Sequence, residues 1–134
     1  VSPPVEAPHL AGLWWALGWA LVLFILYATL APSMYVPDLH LNDKVEHATA
    51  FFGMTFWFGG LVRRQRLWIL GVLMSALGAA IEVAQGTMGL GRDMDIHDWI
   101  ADSCGVLIAL AILLLCVPRS RGSWLRWVES LTGL

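Results

Sequence analysis

The sequence predicts an all-α, polytopic membrane protein: a bundle of four transmembrane helices followed by a short C-terminal interfacial amphipathic helix. Three observations predict it. The chain of 134 residues is 58% hydrophobic and only 13% charged, with a mean hydropathy of +0.70. Soluble domains carry roughly 25% charged residues to clothe their surface, so lipid is the expected solvent here. The apolar residues fall into four runs close to the roughly 20 residues that a bilayer core demands. The polar residues inside those runs gather at the ends that meet the first and third connections. A net charge of -2 offers no basic surface for nucleic acid.

The first span, about 10–30, contains no charge, and Pro32 and Pro37 close it with a short extended loop. The second, about 42–62, carries Asp43, Lys44, Glu46 and His47 in its first two turns. The third, about 67–87, carries Glu82 and Gln85 near its end, and the fourth, about 95–117, holds Asp95, Asp98 and Asp102 in its first half before Pro118 stops it. Asp93 and Asp95 suit N-capping of that last span. Beyond it, Trp124, Trp127, Val128 and Leu131 share a stripe with Leu125 beside them, the spacing of a helix lying in the membrane interface. No repeat or second domain interrupts residues 1–134.

Arg63, Arg64 and Arg66 form the second connection, and Arg119, Arg121 and Arg126 follow the fourth span. The positive-inside rule places these regions, and with them both termini, in the cytoplasm. The outer connections hold Lys44 and Arg92 against several acids. Trp14, Trp15 and Trp19 read as lipid-anchoring belt residues at the inner end of the first span. Cys104 and Cys116 are about 18 Å apart along one helix, too far to bridge, and read as small buried hydrophobes. Val1 reads as an alternative start or a trimmed end, and the early segment has no basic region of the secretory type.

Three spans thus bring their polar groups to one depth. Lys44 and His47 are three apart, Asp43 and His47 four, Glu82 and Gln85 three, and Asp95, Asp98 and Asp102 follow an i, i+3, i+7 pattern. Carboxylates turned toward lipid cost several kcal/mol each, so these faces turn toward one another. Gly105, three past Asp102, permits close helix approach. His9 and His40 read as solvated, and His97 as an interfacial residue on another face.

Asn42-Asp43-Lys44-Val45-Glu46-His47 leading into Phe51-Phe52 resembles the second-span signature of the VanZ-like family of small bacterial integral membrane proteins. Ile81-Glu82-Val83-Ala84-Gln85 resembles that family's Glu-x-x-Gln, and Arg92 followed by Asp95, Asp98 and Ala101-Asp102-x-x-Gly105 resembles its final motif. The resemblance covers about 37–110. It implies a bacterial inner membrane, a cell-envelope setting and tolerance of teicoplanin-type glycopeptide antibiotics, with Asp43, Lys44, His47, Glu82, Gln85, Arg92, Asp95, Asp98 and Asp102 as ligand-binding residues. The family usually carries Asn where Asp102 stands, so this chain has an additional ionisable group that tunes the site toward a cation or a proton.

Two functions compete at this stage. In the first, the outer site binds or processes an anionic envelope lipid or a glycopeptide-related ligand, with Lys44 and Arg92 on a phosphate and His47, Glu82, Asp98 and Asp102 as proton-handling candidates. Ser103 and Cys104 lie beside the acids without a nucleophile motif, so catalysis stays open. In the second, the chain is an accessory subunit of a larger bioenergetic or photosynthetic complex and the cluster only locks the bundle. The Pro-rich arm Ser2–Pro8 would then be held by a neighbour. Membrane lipids and other membrane subunits are the expected partners. No cofactor is expected. A metal site is a weaker variant: His47 with Glu82, Asp98 and Asp102 offers one nitrogen and several oxygens, suited to a hard divalent ion or zinc, but forms no tight ligand motif, so no metal is expected. A channel is disfavoured by the apolar inner halves of the second and fourth spans.

Overall fold

A computed structural model of the chain describes residues 9–133. Its helices are α1 Ala11–Leu30, α2 Asp43–Gly59, α3 Leu67–Thr87, α4 Ile96–Cys116 and α5 Trp124–Thr132, and no strand occurs among the described residues. α1, α4 and a segment from Arg64 through α3 are long and apolar enough to cross a membrane. α2 is shorter than the expected 42–62 and more polar: 17 residues, ended at the Gly59–Gly60 pair. At 1.5 Å per residue it is about 26 Å long, slightly under a bilayer core. The result is a largely apolar, all-helical protein of the polytopic membrane type. The Ser2–Pro8 arm lies outside the described residues.

Each helix turns one narrow stripe inward. α1 is apolar all round and buries only Gly18, Val22 and Ile25, while α2 buries His47, Phe51, Met54, Thr55 and Phe58. α3 buries Leu70, Met74, Gly78, Ile81, Glu82 and Gln85, and α4 buries Asp98, Asp102, Gly105, Val106, Ala109 and Leu113. Leu23, Phe24, Val72, Leu73, Leu107 and Leu115 face outward and are exposed. An apolar exterior around a polar-ended interior is the distribution a lipid solvent selects. Cys104 and Cys116 belong to that exterior; both are exposed, because the close α2–α4 seam takes the Asp98, Asp102, Gly105 face and leaves theirs outside.

α2 and α4 pack most closely. A Cβ on Gly105 would run into the Ala48 carbonyl oxygen, so the missing side chain sets the approach. Gly78 of α3 does the same for α4: a Cβ there would sit 2.8 Å from Asp102 Oδ2.

The start of α1 and the helix α5 meet at the opposite end of the bundle from the acids. Trp14 and Trp57 pack edge to face at 5.7 Å, and the Trp57 indole donates to the Trp14 carbonyl at 2.9 Å. Trp124 stacks on Phe56 at 5.1 Å and donates to its carbonyl at 2.7 Å. Ser123 caps α5, which buries Leu125 and Glu129 and leaves Trp127, Val128 and Leu131 exposed. Glu129 accepts the His9 and Leu10 N–H groups at 3.0 and 3.4 Å and the Trp14 indole at 3.3 Å. Burial alone would raise its pKa, but these donors outweigh it and hold the carboxyl below its ordinary value. Arg64 reaches the carbonyls of Leu113, Leu114 and Val117, capping the end of α4.

Candidate functional site

The polar ends of α2, α3 and α4 converge. Asn42 caps α2 by accepting the Lys44 N–H at 2.9 Å, which starts the helix so that Lys44 and His47 look toward α4. Asp95 caps α4 with Oδ1, accepting the His97 N–H at 2.8 Å. Its other oxygen lies 2.8 Å from Lys44 Nζ, and the same ammonium pairs with Asp98. His47 then sits between two acids of α4: Nδ1 is 2.8 Å from Asp102 Oδ1, and Nε2 is 3.6 Å from Asp98 Oδ2. From α3, Glu82 accepts the Asp95 N–H through Oε2 at 2.9 Å.

Depth separates the members. Glu82 is 3% exposed, Asp102 0%, Asp98 6% and His47 7%, whereas the Lys44 side chain is 40% exposed. Asp43 stands at the rim, exposed, 3.8 Å from Lys44 Nζ. Four carboxylates, those of Glu82, Asp95, Asp98 and Asp102, thus meet one ammonium and one imidazole. As formal charges, four carboxylates outnumber one ammonium and one imidazolium. Glu82 Oε1 and Asp102 Oδ2 are buried without a hydrogen-bond partner among the described residues.

Two of the expected residues do something else. Gln85 is buried and donates its amide to the Thr29 carbonyl at 2.8 Å. Arg92 donates to the carbonyls of Ala31 at 3.3 Å and Ala28 at 3.1 Å. Both strap the C-terminal end of α1, whose last carbonyls lack helical partners. Arg92 therefore does not balance the acids as the sequence pattern suggests, and no carboxylate pairs with it among the described residues. Its place follows from the preceding turn, where Gly89 and Gly91 adopt positive φ. Lys44, too, is committed to Asp95 and Asp98 rather than free for a phosphate. His97 is exposed beside Asp95, and His40 is exposed beside Asp38.

Beside the cluster, α1, α2 and the connection between them enclose a cleft of about 290 Å³. Phe24, Ile25, Ala28, Val36, Leu39 and Phe51 make its apolar wall, and Asp43, Glu46, His47 and Arg92 its polar end. Sequence reasoning did not find this cleft, because the wall residues carry no motif.

No protein-family model matches the chain, and no curated protein or solved structure matches it. What stands is a small helical protein of the integral-membrane type with a buried polar cluster at one end of its bundle.

Proposed function

We propose that this is a single-domain VanZ-like protein of a bacterial inner membrane, with both termini in the cytoplasm, that binds the anionic head group of an envelope lipid at the outer leaflet. The observation that carries the reading is the cleft. An apolar wall leads to an arginine whose charge no carboxylate neutralises among the described residues, with His47 beside it. A prenyl chain suits the wall and a phosphate suits the guanidinium. Asp43 and Glu46 would accept from hydroxyl groups on the head. The Thr29 hydroxyl is spent on the Ile25 carbonyl at 2.8 Å, and the reading taken is one of binding. The order of the three motifs supports the family, and the common end of Arg64 and the α4 C-terminus supports the orientation.

Native mass spectrometry with a prenyl phosphate tests it. The intact chain should retain the lipid, Arg92→Ala should lose it by at least about tenfold, and Lys44→Ala should change it less. Equal retention by the intact chain and Arg92→Ala would remove the reading.

A second reading, an accessory subunit, draws on an apolar groove of about 480 Å³ between α1, α2 and α3, walled by Trp15, Trp19, Phe58, Leu70 and Leu73. A native gel after mild solubilisation separates the two: a subunit migrates with partners, a lipid-binding protein without them.

A further inference from the structure

The buried heart of the cluster has a shortage of positive charge and a surplus of acceptors. Glu82 and Asp102 each have one oxygen engaged, by the Asp95 N–H and by His47, and one oxygen buried with no partner among the described residues. A buried carboxylate oxygen without a donor is costly. Here two such acids lie together, with ligand-capable atoms of His47, Glu82 and Asp102 all within 4.8 Å of one another.

We propose that His47, Glu82 and Asp102 hold a divalent first-row metal ion of the zinc class. Ligand atoms about 2.1 Å from a tetrahedral ion lie roughly 3.4 Å from one another. The 2.8 Å between His47 Nδ1 and Asp102 Oδ1 is already near that spacing, and Glu82 closes in by an ångström or so. The ion takes the place of the Nδ1 proton that a His47 imidazolium gives to Asp102; that proton leaves to solvent and the Nε2 proton stays on the ring. Nε2–H of the same ring then faces Asp98 Oδ2, 3.6 Å away. This is the carboxylate–histidine–metal relay that fixes tautomer and ring orientation. Lys44 in turn holds Asp98.

One imidazole and two carboxylates select zinc, manganese or iron over magnesium or calcium, which ask for more oxygen ligands and water. Three protein ligands leave a fourth position open. Access is provided by a second set, Asp43, His47 and Asp98, whose ligand-capable atoms also lie within 4.8 Å of one another and whose outermost member is exposed. The inference does not rest on lipid binding, since Arg92 takes no part in it.

The test uses the full chain in detergent micelles, stripped with chelator and titrated with Zn²⁺ by calorimetry and with Co²⁺ by visible absorption. The expected result is a stoichiometric ion, a Co²⁺ d–d band, proton release on binding, and affinity weakened at least about tenfold in Glu82→Gln and Asp102→Asn. Arg92→Ala should bind the ion as the intact chain does, whatever it does to lipid. Absence of a stoichiometric ion in the intact chain would overturn the proposal. So would unchanged affinity in the two near-isosteric variants.

Discussion

His47 of α2 and Asp102 of α4 are joined at 2.8 Å between Nδ1 and Oδ1, at a depth where the acid is fully buried. The pair fixes the register between the two most closely packed helices, since a slip of one residue on either would turn one partner toward lipid. Asp102→Ala should therefore lower stability by roughly 3 kcal/mol, the scale of a broken buried pair. Asp102→Asn keeps the shape and should lose less. Reversible denaturant unfolding in micelles measures both.

Packing at the seam is tested separately from its electrostatics. Gly105→Val places side-chain atoms against the Ala48 backbone, and about 1–3 kcal/mol of destabilisation is expected from overpacking. Gly53→Ala on α2 meets open space and should be neutral or raise stability by about 1 kcal/mol through helix propensity. Thermal unfolding of the two variants side by side reads the contrast; equal losses would place α4 elsewhere.

Much of this was legible in the sequence because charges inside apolar runs have few places to go. Asp102, Glu82 and His47 sit a turn or more inside their helices and Asp98 lies in the first turn of α4, so helical spacing orients them toward one another. Arg92 does not partner the acids, for a physical reason. Its linear distance to them is short, but positive φ at Gly89 and Gly91 and the unpaired carbonyls at the end of α1 direct it to another helix. The cysteines were misplaced because apolar composition does not tell a core face from a lipid face. Glu129 gave no signal at all, since its partners His9, Leu10 and Trp14 are more than a hundred residues away.

Glu129 makes the joint between α1 and α5 sensitive to acid. A carboxyl whose folded value lies below its ordinary one, about 4.3 for Glu, contributes stability in full above that ordinary value. The contribution is lost as pH falls through the depressed folded value. Trp14 fluorescence should therefore change as pH is lowered below about 4. In Glu129→Gln the joint should already be weakened at neutral pH and show no such acid step.

Orientation is open to a direct check. A reporter active only in the cytoplasm, fused after residue 134, should be active, and the same reporter inserted in the exposed loop at His40 should be silent. Replacing Arg63, Arg64 and Arg66 together should weaken that bias.

Three helices meet at one buried imidazole, and nitrogen-15 NMR of labelled histidine in metal-free protein tests that meeting most directly. The expected spectrum has a strongly deshielded, slowly exchanging Nδ1 proton on His47. That proton should vanish in Asp102→Ala, shift in Glu82→Gln and stay unmoved in Arg92→Ala. An ordinary, solvent-exchanging ring for His47, indifferent to both acids, would contradict the arrangement.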